Sequence, residues 1–371
     1  MPADPRVVIW RSALLGGSET FVRNHGDALT RWQPVYVGAT RTASPLSRAA
    51  DLVAFPSPRS FLRLRLTGSS PRLGRLLGTT GARLVHAHFG GDGWLVSREA
   101  ARLGLPLVVT VHGHDVTRQP ASPGLHGLRY RHHLRTVFRR AAVIIAVSEV
   151  IRDRAVACGA DPAKVRVHYT GVPVPAEVPD RRKEWDVAFV GRFVEKKGVD
   201  DLLAALAALG PTRPRTVLLG AGPMLSTMRA YAAALGVDAT FLGAQPPEQV
   251  TRVLTASRLL AAPSRTARDG DTEGLPTTVL EAAALGLPVV ATTHSGIPEA
   301  VTDGETGLLG PEGDRAALAA NLSRLLADDV LRKRLGSQAR TRVAERFNLT
   351  VQSRQLEALY DELTPDSQNR P

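Results

Sequence analysis

The sequence predicts two α/β domains, each built around a doubly wound parallel sheet. The first observation is that short apolar runs alternate with helical stretches, because strands buried on both faces of a parallel sheet are rich in Val, Ile and Leu. The second is that this alternation is interrupted once, near residues 174–184, by a segment rich in proline and charge, and then restarts. The length of 371 residues also suits two domains.

Eleven apolar runs predict the strands of the two sheets. In the first half they are RVVIW, PVYVGA, RLVHAHF, LPLVVTVH, AVIIAVS and KVRVHY. In the second half they are DVAFVG, TVLLG, ATFLG, RLLAAPS and LPVVATTH, followed by a helical tail. We therefore place the domains at residues 1–175 and 185–345, and we expect residues 346–371 to form a C-terminal helix that crosses back to the first domain, with a short tail.

Composition narrows the classes of protein and of partner. Cys158 is the only cysteine, which excludes a disulfide within the chain. No signal-peptide pattern begins the sequence and no apolar run is long enough to span a membrane, so a cytoplasmic location is expected.

The net charge of +12 lies entirely in residues 1–180, which hold 24 basic and 12 acidic residues. This asymmetry is compatible with a nucleic acid, a membrane surface or a phosphorylated ligand, and equally with a solvated, arginine-rich surface. The stretch PRSFLRLRLTGSSPRLGR, residues 58–75, interleaves arginine with leucine. It is either a peripheral contact with an anionic membrane or a solvated helix face.

The residues that follow each strand are the candidates for a site, because ligands of such sheets bind beyond the carboxyl ends of the strands. After DVAFVG come Arg192, Lys196 and Lys197, flanked by Gly191 and Gly198. Guanidinium and ammonium groups both bind phosphate oxygens, so a diphosphate is expected here. The alternative is a solvated helix start.

The stretch EGLPTTVLE carries two glutamates and a predicted helix start. Pro276 suits the first turn of a helix, whose free N–H groups near Thr277, Thr278 and Val279 would then bind an anion. Glu273 and Glu281 would accept hydrogen bonds from sugar hydroxyls around the phosphates. The alternative is that both acids only favour the helix N-terminus electrostatically.

In the first half, three motifs follow strands. GGSETF, residues 16–21, opens a helix that Ser18 would cap, and its glycines permit close approach to the backbone. HGHD begins with His112, which could donate a hydrogen bond to a sugar. His86 and His88 lie on one face of a strand, but no carboxylates complete a ligand set, so no metal is expected.

Together these motifs resemble the family 4 retaining glycosyltransferases, which have the GT-B fold. GRFVEKKG, FLGAQPPEQV and EGLPTTVLE resemble the C-terminal donor domain, whereas SETFV, HAHFG and VTVHGHD resemble the N-terminal domain of the exopolysaccharide branch, the colanic-acid and amylovoran type. The resemblance covers about residues 6–360. It implies Rossmann-like domains facing across a cleft, the first binding the acceptor and the second the nucleotide-sugar donor.

The resemblance also implies roles for individual residues. Four act in catalysis: Arg192 and Lys197 on the diphosphate, and Glu273 and His112 on the transferred sugar. The donor is also held by Gly17 through its backbone N–H, by Leu242 and Gly243 near the nucleobase, by Gly274, Leu275, Pro276 and Thr277, and by Glu281 on the ribose. One departure from the family pattern is the long acidic loop SRTARDGDTEG before Glu273.

The implied reaction is transfer of a hexose-type sugar, with retention, from a UDP- or GDP-linked donor to a glycan, lipid-linked or small-molecule acceptor. It needs no metal and no other cofactor. The expected location is the cytoplasm or the inner face of the plasma membrane. The alternatives are a GT-B nucleotide-sugar epimerase or phosphorylase and, more distantly, a basic nucleic-acid-binding protein, although the two glutamates at the phosphate site disfavour nucleic acid.

Overall fold

The computed structural model describes residues 4–17 and 19–365, and the chain divides into two compact units. The first unit contains the residues up to Gly171 together with those from Leu349 onward, and the second contains Val172–Asn348. The predicted helix cap, Ser18, and the predicted tail after residue 365 lie outside the described residues.

The first unit is built on a seven-stranded parallel sheet. Its strands are β1 (Arg6–Leu14), β2 (Gln33–Arg41), β3 (Leu52–Val53), β4 (Ala82–His88), β5 (Leu107–Val111), β6 (Val143–Ala146) and β7 (Val165–Val167). Their order is β3-β2-β1-β4-β5-β6-β7, so the direction of winding reverses between β1 and β4. This is the switch point of a doubly wound sheet.

The second unit repeats this plan with six parallel strands. They are β8 (Trp185–Val190), β9 (Thr216–Leu219), β10 (Ala239–Gly243), β11 (Ser257–Ala262), β12 (Val289–Thr292) and β13 (Gly307–Gly310). The order is β10-β9-β8-β11-β12-β13, and its switch point lies between β8 and β11. The prediction of two doubly wound parallel sheets is confirmed.

Helices connect the strands of both sheets. In the first unit they are α1 (Thr20–Asp27), α2 (Pro58–Thr67), α3 (Pro71–Thr79), α4 (Gly90–Arg102), α5 (Arg118–Ala121), α6 (Gly124–Arg140) and α7 (Glu149–Ala157). In the second they are α8 (Val199–Ala208), α9 (Leu225–Ala234), α10 (Pro247–Thr255), α11 (Thr277–Ala284), α12 (Ile297–Ala300), α13 (Arg315–Ala327) and α14 (Asp329–Arg346). The last helix, α15 (Leu349–Leu363), belongs to the first unit.

The apolar faces of the strands form the cores. In the first unit Val7, Ile9 and Leu84 of the sheet pack in one buried cluster with Leu356 and Tyr360 of α15. In the second unit the core joins strand residues to helix residues, among them Val187, Phe189, Leu218, Leu259, Leu202 and Leu322. Continuous apolar strands are therefore buried on both faces, as a parallel sheet requires.

Helix α15 is fastened to the first unit by a buried carboxylate. Glu357 is fully buried and accepts hydrogen bonds from the backbone N–H groups of Thr30, Arg31 and Trp32, at 2.6, 2.6 and 3.2 Å. The predicted helical stretch after GGSETF therefore ends at Asp27, because these three N–H groups bind Glu357 instead of continuing α1.

Replacing Glu357 with alanine should remove the buried acceptor of three backbone N–H groups, at a cost of about 3 kcal/mol in the free energy of unfolding. Urea unfolding followed by tryptophan fluorescence measures this. Glu362 is an exposed glutamate on the same helix, and Glu362→Ala is the matched control. An equal midpoint for the two variants would contradict the anchoring role of Glu357.

Candidate functional site

Two loops meet at the switch point of the second sheet. The first follows β8 and runs from Gly191 to Gly198, and the second follows β11 and runs from Pro263 to Pro276. Gly198 has a φ of +62°, and a Cβ on it would lie 2.0 Å from the carbonyl oxygen of Pro263. Only glycine therefore permits the loops to approach this closely.

A buried ion pair joins these two loops. Lys197 Nζ lies 2.8 Å from Glu273 Oε1, and the two side chains are only 14% and 8% exposed. Ser264 also donates a hydrogen bond to Glu273 Oε1, at 3.3 Å. Burial alone would raise the pKa of Glu273, but the charges of Lys197 and Lys196 outweigh it and lower the pKa to about 2. Glu273 is therefore an ionised hydrogen-bond acceptor throughout the physiological pH range.

The neighbouring Lys196 holds the acidic loop in place. Its Nζ donates to Asp271 Oδ1 at 3.0 Å and to the carbonyl of Thr272 at 2.9 Å. Arg265 in the same loop is paired with Asp200 and Asp201 of α8. The loop that departs from the family pattern is thus tied down on both sides, and Lys196 is structural.

Arg192 differs from both lysines. Its side chain is exposed and makes no hydrogen bond or ion pair with any residue in 4–17 and 19–365. It lies one residue after Gly191, at the carboxyl end of β8. The basic turn therefore contains one structural lysine, one lysine paired with Glu273, and one arginine available to a ligand.

Two residues that were not among the predicted site residues support Glu273. They are His294, which follows β12, and Glu312, which follows β13. The backbone N–H of Glu273 donates to His294 Nε2 at 3.0 Å, while His294 Nδ1 lies 2.6 Å from Glu312 Oε1. Because Nε2 accepts a hydrogen bond, the proton of a neutral His294 is on Nδ1. Their positions shortly after β12 and β13 were the available signal, since these two strands follow β11 in the sheet.

The N-terminus of α11 follows Glu273 closely in the chain. Gly274, Leu275 and Pro276 are buried and lead into the helix, which begins at Thr277 and has no side-chain cap. Pro276 therefore precedes the first turn instead of lying in it. The N–H of Val279 donates to the carbonyl of Pro276 at 3.1 Å. The prediction that this N–H group is free was therefore wrong.

The N–H groups of Thr277 and Thr278 find no acceptor among residues 4–17 and 19–365. Two donors therefore remain at the start of α11, where the helix dipole also favours an anion.

Three other residues that were predicted to contact the nucleotide sugar, Leu242, Gly243 and Glu281, lie in the second unit but form no bond with Lys197 or Glu273. Leu242 and Gly243 are half-buried at the end of β10, where the carbonyl of Gly243 accepts from Gly220 at 2.8 Å. Glu281 is half-buried in α11, and burial raises its pKa to about 7. Within the described part of the chain, the carboxyl group of Glu281 has no hydrogen-bonded or ionic partner.

The first sheet brings its own set of residues to its carboxyl edge. His112 follows β5, and Asp115 accepts hydrogen bonds from the backbone N–H groups of His112 and Gly113, at 2.9 and 3.1 Å. His112 Nε2 lies 3.1 Å from His88 Nδ1. Burial, together with the charge of Arg11, places the pKa of His112 well below its ordinary value, so the ring is neutral.

Arg11, Glu19 and Asp92 form a cluster at this edge that the sequence analysis did not include. Arg11 is paired with both acids, and Ser12 donates to Asp92 Oδ1 at 2.7 Å. Gly17, which the resemblance assigns to the donor phosphates, is exposed, and a Cβ there would meet no atom within 4 Å. Its backbone is open to a ligand.

Among residues 4–17 and 19–365, four non-glycine residues have positive φ, and all but Arg213 lie shortly after a strand. Leu15 after β1 and Phe89 after β4 have φ values of +47° and +70°, and Ser295 after β12 has +47°. Such strain persists where the surroundings enforce it, commonly at functional sites. Ser295 is fixed by its hydrogen bond to the carbonyl of Glu273, at 2.7 Å.

No three His, Cys, Asp or Glu side chains in residues 4–17 and 19–365 converge as metal ligands. Over the same ranges, every helix is too short or too polar to cross a membrane.

Comparisons with known proteins decide the family. The family model for Glycosyltransferase Family 4 matches residues 15–174, and that for Glycosyl transferases group 1 matches residues 175–342. The colanic acid biosynthesis glycosyltransferase WcaL of Salmonella typhimurium is 32% identical over 286 residues, which cover 74% of this chain and 69% of that protein. The chain belongs to the family 4 glycosyltransferases.

Two further similarities agree with this assignment. The amylovoran biosynthesis glycosyltransferase AmsK of Erwinia amylovora is 31% identical over 76% of the glycosyltransferase described here and 70% of its own length. The structure of HepE from Anabaena, in complex with UDP and glucose, has a TM-score of 0.78 at 20% identity, covering 96% of this chain and 100% of HepE. That likeness shows the GT-B fold.

The raised pKa of Glu281 predicts how the stability of the ligand-free glycosyltransferase changes with pH. A folded protein that binds this proton more tightly than the unfolded chain loses stability as the pH rises from about 4.5 through about 7. Glu281→Gln removes this loss, so the variant should gain thermal stability relative to wild type between pH 5 and pH 8. Thermal unfolding across that range measures it.

The exposed Glu248 of the same unit provides the matched control, since Glu248→Gln should follow the wild-type profile. Parallel profiles for wild type and Glu281→Gln would show that this carboxyl titrates normally.

Proposed function

We propose that this chain is a retaining glycosyltransferase that moves a hexose-type sugar from a nucleotide-diphosphate donor to a hydroxyl group. The observation that carries the proposal is the buried Lys197–Glu273 pair at the switch point of the second sheet. Exposed Arg192 and the uncapped start of α11 are the neighbouring phosphate-binding groups.

The chemistry follows from the charge that develops as the nucleotide diphosphate leaves. Lys197 and Arg192 are cations that stabilise this negative charge, and the N–H groups of Thr277 and Thr278 add two dipoles of the right sign. The side chains present thus fill the role that a divalent cation has in other transferases, which supports metal-independent transfer.

Glu273 is better suited to accept hydrogen bonds from the sugar than to act as a nucleophile. Its carboxylate is held by Lys197 and Ser264, and its backbone by His294 and Ser295. Both contacts of the carboxylate are made by Oε1, and an ionised carboxylate paired with a lysine is a poor nucleophile and cannot donate a proton. This favours attack of the acceptor on the face that the diphosphate leaves, with the departing phosphate oxygen accepting the acceptor's proton.

Donor and acceptor are proposed by class. UDP or GDP is the expected leaving group, and the complex of HepE with UDP and glucose supports UDP. The relatives named for colanic acid and amylovoran biosynthesis support a glycan or lipid-linked acceptor, and a small-molecule acceptor is the other class.

His112, neutral and fixed by Asp115, is proposed to contact the transferred sugar. A cytoplasmic location stays a prediction.

Nucleotide binding tests the donor site directly. One of UDP, GDP, ADP and dTDP, without added metal, should stabilise the protein by about 2.7 kcal/mol at 100 times its dissociation constant, as measured by thermal unfolding. Lys197→Ala should lose this stabilisation and lower kcat by about two orders of magnitude. Lys333→Ala, which removes an exposed lysine of the same unit, should change neither. Nucleotide binding that survives in Lys197→Ala would refute the assigned role of Lys197.

The stereochemistry of the product is a separate prediction. Proton NMR of the first product formed should show the anomeric configuration of the donor, because same-face attack forms the new glycosidic bond on the face from which the diphosphate departs. The same spectra distinguish transfer from its alternatives. An epimerase would yield a sugar with changed C2 configuration, and a phosphorylase would require inorganic phosphate.

A further inference from the structure

The first unit carries two neighbouring helices with an unusual surface. Helices α2 and α6 contain eight arginines and no aspartate or glutamate. Four of their leucines are exposed: Leu62 and Leu66 of α2, by 52% and 59%, and Leu125 and Leu128 of α6, by 84% and 57%. In the described part of the chain, the other exposed large hydrophobic residues are Leu103, Val150 and Val330. Exposed leucines are thus concentrated where acidic residues are absent.

The two helices adjoin at this surface. Arg129 of α6 donates a hydrogen bond to the carbonyl of Arg65 of α2, at 2.7 Å. Leu66 follows Arg65 and Leu128 precedes Arg129, so the two leucine pairs lie at adjoining ends of the helices. A second connection runs through α4, where Trp94 stacks on His133 of α6 and lies against Gly68, the residue that ends α2.

The outward side of α2 has leucine in the middle and arginine on both borders. At 100° per residue, Leu62 and Leu66 lie side by side, with Arg65 on one border and Arg59 and Arg63 on the other. All five are exposed, whereas Leu64, on the opposite side, is fully buried.

Helix α6 also has one exposed side that carries leucine and arginine. Leu125, Leu128, Arg129, Arg135 and Arg139 are exposed, and Leu134, Val137 and Phe138 on the opposite side are buried. We name the exposed set the leucine–arginine face: Arg59, Leu62, Arg63, Arg65, Leu66, Leu125, Leu128, Arg129, Arg135 and Arg139.

We propose that the leucine–arginine face docks on an anionic lipid bilayer. Each arginine near such a surface contributes about 1 kcal/mol, and leucines that enter the acyl boundary add a hydrophobic contribution. Both components are needed to account for the surface, because a nucleic acid would match the arginines but leave the leucines in water. The preformed helices add to binding, since little order has to be gained: Ser57 and Ser60 form a capping box at the start of α2.

The leucine–arginine face joins part of residues 58–75 to a second helix, α6, which begins about fifty residues after that stretch in the chain. The proposal does not depend on the donor chemistry, because the face belongs to the first unit and its test needs no nucleotide sugar.

Vesicle co-sedimentation of the full chain tests the proposal. In 50 mM NaCl the protein should pellet with vesicles of phosphatidylcholine and phosphatidylglycerol at 3:1, and not with phosphatidylcholine alone. In 500 mM NaCl binding should fall at least tenfold, because salt screens the arginines. No binding to the 3:1 vesicles in 50 mM NaCl would overturn the proposal.

Two variants separate the components of binding. Arg59→Gln/Arg63→Gln/Arg65→Gln should weaken vesicle binding by about 100-fold, and the control Arg181→Gln/Arg182→Gln/Lys333→Gln, with the same change in net charge, should weaken it far less. Leu62→Ser/Leu66→Ser should weaken it by about tenfold or more, whereas Leu103→Ser/Val330→Ser should not. All of these side chains are exposed, so thermal unfolding should be unchanged.

A 30-base-pair DNA duplex provides the competing polyanion. If the leucine variant binds vesicles as well as wild type does, and the duplex displaces both from vesicles equally, the face is a general polyanion site and the lipid proposal is wrong. If the leucine variant loses vesicle binding but keeps wild-type affinity for the duplex, the leucines act on lipid, as proposed.

Discussion

All strands of each sheet run in one direction, and this constraint determines where chemistry can occur in the molecule. In a parallel sheet every strand ends at the same edge, so the loops after the strands are brought together even when they are distant in the chain. In the second unit, Lys197 and Glu273 are 76 positions apart and yet form a buried ion pair. The glycine between the strand end and α8, Gly198, allows this because any side chain there would overlap Pro263.

Most of the architecture was predictable because each buried strand is a continuous apolar run. All eleven predicted strands are present, whereas β3 and β13 were missed. The strand β3 has two residues, and β13 consists of two leucines between two glycines. The end of α1 was not predictable either, because it depends on Glu357, more than 300 residues away, which takes the next N–H groups.

The site was predictable where a motif lies on one loop, and not where loops from different strands combine. The basic turn and EGLPTTVLE were each visible in the sequence, but only the pairing of Lys197 with Glu273, and of Lys196 with Asp271, distinguishes the lysine that we propose binds the ligand from a structural one. His294 was missed for the same reason. Its role comes from the adjacency of β11 and β12 in the sheet, which no local pattern encodes.

The position of α15 has a consequence for the synthesis of the protein. The ribosome completes residues 172–348, the whole of the second unit, before it makes the helix that supplies Glu357 and Tyr360 to the first unit. Until then, His86 lacks the hydroxyl of Tyr360, which lies 2.5 Å from its Nδ1, and Trp32 lacks Asp361. The first unit can therefore complete its core only after the whole of the second unit has been synthesised, which departs from the usual order of folding from the N-terminus.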